Sequence, residues 1–189
     1  MGTPLHVLII EDSEIDTLLL TLELKQGGFD PLHERAETAE EVYAALSRGP
    51  WDVILCDYTL PDFDGLDALA IVREMRIDVP FIIISGAIGE EVAVEAMKAG
   101  AHDYIMKDRR QRLVPAVVRE LREAAMRREH RQVEAALRES EGTFRLLVEN
   151  APDAIFVQVG GCLAYLNPAA VRLFGADSAP KRRTAAGFR

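Results

Sequence analysis

Three runs of apolar residues, VLII at 7–10, VILC at 53–56 and FIII at 81–84, show no polar alternation. A strand with one wet face alternates, whereas a strand covered on both faces does not. Each run is short and bounded by turn residues or acids, which favours buried strands over buried helices. Helical spacing fills the intervals. Ile15, Leu18, Leu19 and Leu22 recur at helical spacing after Ser13, which with Asp16 has the pattern of a capping box, and Gly27-Gly28 ends the segment. A weak, polar strand is expected over 31–36. Thr38 and Glu41 form a second capping-box pattern opening a helix to about Ser47. Then come a strand over 52–57, a helix over 65–75, a strand over 81–85, a helix over 90–98 stopped by Gly100, a strand over 102–106, and a helix from about Leu113. Five strands alternating with five helices, joined by right-handed crossovers, give a doubly wound α/β domain with a parallel sheet.

Ligands of such sheets lie outside the carboxyl ends of the strands. There the first strand ends in Glu11-Asp12, the third in Asp57, the fourth in Ser85 and the fifth near Lys107. Taken singly, each acid reads as a solvated turn or a helix cap, Ser85 as a strand-end hydroxyl, Lys107 as a surface charge and Tyr104 as a half-buried core residue. Together they gather three carboxylates, a hydroxyl and an ammonium on one rim. Three crowded carboxylates repel one another unless a cation sits among them. Oxygen ligands of this kind suit Mg2+, which takes one or two carboxylates, water and phosphate oxygens. A carboxylate can itself be a nucleophile and form an acyl phosphate, so Asp57 is the candidate phosphoacceptor.

These residues, with the LPDFDG turn at 60–65 and the run AGAHDYIMK ending at Lys107, resemble the receiver domain of two-component response regulators over residues 5 to about 122. The resemblance implies a flavodoxin-like five-stranded sheet of order 2-1-3-4-5. It implies Asp57 as phosphoacceptor, and Glu11, Asp12, Asp57 and the backbone carbonyl of Thr59 as Mg2+ ligands. Ser85 would be the switch hydroxyl, Tyr104 the aromatic that swings inward on activation, and Lys107 the phosphate-binding lysine. A histidine kinase or histidine phosphotransfer protein is the implied donor. Two departures stand out. Asp108 follows the lysine where the family usually has Pro, and the acidic pair is Glu-Asp rather than two Asp, the longer Glu11 being able to reach a metal through water.

Charge and composition narrow the partners. The first 110 residues carry 9 Lys+Arg against 22 Asp+Glu, and the remainder 13 against 9. An acidic first part disfavours nucleic-acid binding, and the shift near residue 110 marks a boundary. No apolar run approaches the length of a membrane span. The N-terminus lacks the basic region of a signal peptide, and the two distant cysteines, Cys56 and Cys162, fit a reducing compartment. A cytoplasmic protein with no membrane or nucleic-acid partner is expected.

The organisation expected is a receiver over 1–122, a long helix over 113–150 continuing its last helix, a PAS-like segment over 151–177, and a disordered basic tail over 178–189. Val114, Val118, Leu121, Ala125, Val133, Leu137, Phe144 and Leu147 mark one broad apolar stripe on that helix, lapsing at 126–132. A parallel coiled-coil homodimer through this linker is the favoured use of the stripe; a lone, salt-laced helix is the other. The stretch LRESEGTFRLLVENAPDAIFVQVGGCLAYLNPAAVRLFGA resembles the opening of a PAS sensor domain, with strands flanking a Gly160-Gly161 turn and an NPAA helix entry. A PAS core so short is expected to be incomplete and to bind no ligand of its own.

Other classes fit less well. An aspartyl-phosphate phosphohydrolase of the haloacid dehalogenase type wants an acid two residues after its nucleophile, where this chain has Thr59. A phosphorylation-independent dimer module would leave the acid, hydroxyl and lysine set without a role. A sensor kinase would need a phosphoacceptor-histidine motif and an ATP-binding domain, and neither is recognisable. The domain is therefore expected to transfer and lose its own phosphoryl group without turning over a separate metabolite.

Overall fold

The runs without alternation form the centre of one parallel sheet. A computed structural model of the chain describes residues 2–86, 90–160 and 162–175. Strands β1 (Thr3–Ile10), β2 (Phe29–Ala36), β3 (Val53–Asp57), β4 (Phe81–Ser85) and β5 (Asp103–Met106) pair in the order β2-β1-β3-β4-β5. All four pairings are parallel, and every residue of β3 and β4 is buried. The doubly wound, flavodoxin-like sheet expected from the sequence is the one observed.

Successive residues along a strand point their Cβ atoms to opposite faces of the sheet, so each run feeds two cores. Leu8, Ile10, Ile54, Cys56, Phe81 and Ile83 pack on one side with helices α2 (Ala39–Arg48) and α3 (Gly65–Glu74). Val7, Ile9, Val53, Leu55, Ile82 and Ile84 pack on the other with α1 (Glu14–Gln26) and the start of α5 (Leu113–Glu149). Helix α4 (Glu90–Ala99) adds Ala96 to the first core. Within the latter, Cys56 is fully buried, which pushes its thiol well above the ordinary range and leaves it unreactive.

Local details differ from the sequence reading for physical reasons. Strand β2 begins at Phe29, earlier than expected, because it is an edge strand and an edge tolerates Pro31. Both expected capping boxes are only half made. Ser13 Oγ accepts from Asp16 N–H at 3.2 Å and Thr38 Oγ1 from Glu41 N–H at 3.3 Å. The acids do not reciprocate: Ser13 N–H donates to Glu11, and the Glu41 carboxylate accepts from Glu37 N–H. The complete box is Asp64/Asp67 at the start of α3. Gly65 then passes so close to Asp57 that an added Cβ would lie 3.1 Å from its carbonyl oxygen, and Gly65 N–H closes the turn on Tyr58 O at 2.9 Å.

The largest correction concerns the roll of α1. Thr17, Leu20, Thr21 and Leu24 are its buried residues, while Ile15, Leu18 and Leu22 are 73%, 68% and 47% exposed. The Leu-rich segment offers apolar residues on more than one face, so spacing alone does not fix its rotation. The face that α5 buries is also not the expected stripe. Its buried residues are Leu113, Ala116, Val117, Glu120 and Ala124, whereas of the stripe Val114 and Leu121 are half-buried and Val118, Ala125, Val133, Leu137, Phe144 and Leu147 are exposed.

The chain divides into two compact units, Met1–Arg128 and Glu129–Arg189. In the second, β6 (Phe156–Val159) and β7 (Cys162–Leu166) form an antiparallel pair followed by α6 (Pro168–Phe174). Asn167 is the hub of this unit. Its Oδ1 accepts from Ile155 N–H and Ala170 N–H at 2.9 and 2.8 Å, and its Nδ2 donates to Val148 O and Asp153 O at 3.1 and 2.9 Å. Fully buried, it satisfies all four of its side-chain hydrogen-bonding positions. Gly161 of the expected turn and the tail 178–189 lie outside the described residues.

Candidate phosphoacceptor site

Parallel strands bring their carboxyl ends to one rim, and the register places the expected residues there. Asp57 ends β3 opposite Ile84, Ser85 ends β4 opposite Met106, Glu11 follows β1, and Lys107 follows β5. Glu11, Asp57 and Ser85 are buried polar residues among a sheet of aliphatic ones. Tyr104, opposite Ile83, is half-buried against the first core.

One cation ties the rim together. Lys107 Nζ lies 2.7 Å from Asp57 Oδ2, 3.0 Å from Glu11 Oε2 and 2.6 Å from Asp16 Oδ2. Burial opposes the charge of this ammonium, but its bonds to Asp16, Asp57 and Glu11 outweigh burial and hold it above the usual lysine range. Asp57 Oδ1 accepts from Thr59 N–H at 3.3 Å, and Thr59 also bridges to Asp64, which folds the 58–65 turn back over the acid.

Glu11, Asp12 and Asp57 present carboxylate oxygens that all lie within 4.8 Å of one another. Glu11 and Asp57 are buried and Asp12 exposed, an arrangement with one face open to solvent. Burial pushes the Glu11 carboxyl up to about 7, the charge of Asp57 adds to this, and Lys107 pulls against it. Hard oxygen donors with excess negative charge and an open side fit a small divalent cation that keeps several waters. Glu11, Asp12 and Asp57 are the side chains that would hold it.

Three contributors escaped the sequence reading. Arg35, at the end of β2, donates to the carbonyls of Glu11 and Asp12 at 3.3 and 3.0 Å and so fixes the loop carrying the acidic pair. Asp16 faces Lys107 instead of closing a cap. Arg110, in the 3-10 turn Lys107–Arg112 that follows β5, pairs with Asp16 at 3.1 Å. The charge pattern of the 107–112 segment was visible, but the partner of each charge depends on the roll of α1.

Among known proteins, a family model described as the response regulator receiver domain matches residues 7–119, more than half of the chain. The chain belongs to the response regulator receiver family of two-component systems. A PAS domain model matches residues 142–188. An NtrX-like response regulator of Rickettsia felis is 38% identical over 105 residues, 54% of this chain and 22% of that protein. The cell cycle transcriptional regulator CtrA of Caulobacter vibrioides is 33% identical over 107 residues, 54% of this chain and 44% of that protein. The chain thus spans less than half the length of these relatives. Among solved structures, the receiver domain of Francisella response regulator 1452 aligns with a TM-score of 0.56 at 26% identity, covering 63% of this chain and 98% of that one. The structure titled FIXJ-N aligns at 0.55 and 29%, covering 63% and 94%.

Proposed function

We propose that the chain is a phosphorelay receiver in which Asp57 accepts a phosphoryl group from a histidine kinase or histidine phosphotransfer protein. The observation that carries this is the Lys107 ammonium bonded to Asp57 beside the Glu11 and Asp12 carboxylates, at the carboxyl rim of the sheet. The Asp57 carboxylate forms the new P–O bond as the P–N bond to the donor imidazole breaks and the imidazole takes up a proton. Lys107 holds the incoming phosphoryl oxygens as a point charge. Mg2+, held by Glu11, Asp12, Asp57 and the Thr59 carbonyl, would supply further neutralisation of the phosphoryl charge. Ser85 donates a hydrogen bond to the phosphoryl group, and Tyr104 repacks on the face of α4 and β5, biasing a pre-existing equilibrium between two conformers. The test is phosphoryl uptake, read by intact mass, from a small acyl-phosphate donor with Mg2+. One phosphoryl group gained, and lost with a chelator, supports the reading; no gain by folded protein under any condition rejects it.

The raised Glu11 carboxyl makes a pH prediction. Between its unfolded value of 4.5 and about 7, folded Glu11 binds more protons than unfolded Glu11. Its contribution to stability therefore falls as pH rises through that window, and is recovered on acidification. Metal binding has the opposite slope, because a ligand must be deprotonated. In thermal melts of metal-free protein, the wild type gains stability relative to Glu11→Gln as pH falls from about 7 toward about 5. Parallel profiles for the two would remove Glu11 from the site chemistry.

The output side of the reading is a homodimer through α5. Met126, Val133, Leu137, Phe144 and Leu147 are 52%, 63%, 57%, 68% and 68% exposed. With His130 and Ser140 between them, they recur at alternating spacings of four and three, the seam of a two-stranded coil. Glu134, flanking that seam, is already paired with Arg138 one turn on, which lessens its repulsion from a second copy. Sedimentation of the full chain is expected to show a dimer that Leu137→Glu with Phe144→Glu converts to monomer. A monomeric wild type at every concentration would leave α5 as a lone helix.

A further inference from the structure

An ammonium has three N–H donors, and Lys107 directs all three at carboxylates: Glu11, Asp57 and Asp16. Glu11 and Asp57 belong to the acidic trio of the rim. Asp16 does not; it stands in the first turn of α1. Its carboxylate has no part in capping α1, because Ser13 N–H donates to Glu11 Oε1 instead. It bridges two cations of one turn. Asp16 Oδ2 accepts from Lys107 Nζ at 2.6 Å, and Asp16 Oδ1 accepts from Arg110 Nη2 at 3.1 Å.

That turn needs an external restraint. Residues 107–112 contain no proline to fix the backbone. Arg109 departs from helical geometry at φ −118° and ψ 38°. None of the six residues is buried, so packing does not hold them in place. The Asp16 carboxylate joins the turn to α1 at both of its cations. In the roll that α1 adopts, Ile15 and Leu18 are exposed and Asp16 faces Lys107.

We infer that Asp16 is a positioning residue: held by Arg110, its carboxylate aims the Lys107 ammonium at the phosphoryl group that Asp57 receives. The inference rests on the phosphoacceptor reading of Asp57. Lys107 has a flexible four-carbon stem with no preferred aim of its own. When Asp57 carries a phosphoryl group, the donors now on Asp57 and Glu11 can turn to its oxygens. The bond to Asp16, outside the reacting set, keeps the ammonium in place through that exchange. Arg110 acts only through Asp16.

The test uses the full chain with Asp16→Asn, Arg110→Gln and the double variant; Asp16→Asn keeps the shape and removes the charge. The first readout is the 15N-resolved ammonium signal of Lys107. It is expected to be sharp and slowly exchanging in the wild type, broadened beyond detection in Asp16→Asn and weakened in Arg110→Gln. The second is phosphoryl uptake from a small acyl phosphate with Mg2+. The maximal rate is expected to fall about tenfold in Asp16→Asn, the scale of losing an orienting partner behind a ligand, with the half-saturating donor concentration unchanged. Arg110→Gln should lose about threefold, and the double variant no more than Asp16→Asn. An unchanged Lys107 signal or an unchanged maximal rate in Asp16→Asn overturns the inference, as does a double variant whose losses multiply. Should Asp16→Asn fail to fold by thermal melting, Arg110→Gln gives the same two readouts from the other end of the pair. Failure of the wild type to take up phosphate would reject the phosphoacceptor reading by itself, and the Lys107 signal would still decide the role of Asp16.

Discussion

Asp57→Asn takes up no phosphoryl group from an acyl-phosphate donor with Mg2+, yet folds as the wild type does. The amide keeps the shape of the carboxylate, and its one oxygen can still accept from Lys107 or from Thr59 N–H, which in the wild type bond to different oxygens of Asp57. It lacks the anionic oxygen that forms the acyl phosphate. No other acid takes its place: Glu11 is buried and bonded to Lys107 and Ser13, and Asp12 stands at the open side of the trio. Stability in the absence of metal should not fall, since the substitution removes one of the crowded charges. The Glu11 carboxyl, raised first by burial and then by the Asp57 charge, should move back toward the ordinary range. Intact mass and a thermal melt on one sample check both halves. Phosphoryl uptake by Asp57→Asn at the wild-type rate would place the acceptor elsewhere.

The second large effect is expected at Lys107. Lys107→Gln keeps a donor amide at the rim but removes the ammonium that bonds to Glu11, Asp16 and Asp57. Two of those acids are buried, at 1% and 8% exposure. Removing one partner from a buried charge cluster typically costs about 3 kcal/mol, less whatever the acids recover by protonation. The loss should be greatest without metal and smaller with Mg2+, because a divalent cation among Glu11, Asp12 and Asp57 offsets the same charges. Phosphoryl uptake should slow about 100-fold, the scale of losing one preorganised donor to a developing anion. Thermal melts with and without Mg2+ and the uptake rate together check this. A variant as stable as the wild type without Mg2+, and phosphorylated as fast, would show that Lys107 is a bystander.

The sheet and the acidic rim were legible because both follow from strand direction. A run such as VILC ending on Asp57 states its burial and its end in the same residues, and parallel strands must bring those ends together. Ser85 and Lys107 come to the rim for the same reason. The roll of α1 was not legible, because Leu18, Leu19, Leu20, Leu22 and Leu24 leave several faces apolar. Its rotation is settled by partners distant in sequence: the core that takes Leu20 and Leu24, and the cations that take Asp16. The same dependence hid Asp16, whose spacing from Ser13 matches a cap while its carboxylate serves Lys107 and Arg110. Arg35 was hidden because it works through its bonds to the backbone carbonyls of Glu11 and Asp12, which no side-chain pattern encodes. On α5, the apolar stripe read from the sequence lies beside the buried face: Leu113, Ala116, Val117 and Ala124 are covered, while Val118 and the stripe from Val133 onward are exposed. Periodicity records that a face is apolar, but not what covers it.

The most direct test of the central claim is to locate the phosphoryl group. The full chain would be phosphorylated with a small acyl phosphate and Mg2+, reduced with borohydride, which converts an aspartyl phosphate to homoserine, and mapped by peptide mass spectrometry. The account predicts homoserine at position 57 and nowhere else, absent when Mg2+ is chelated. Homoserine at another acid, phosphate retained on Ser85, or unmodified Asp57 in folded protein would contradict it.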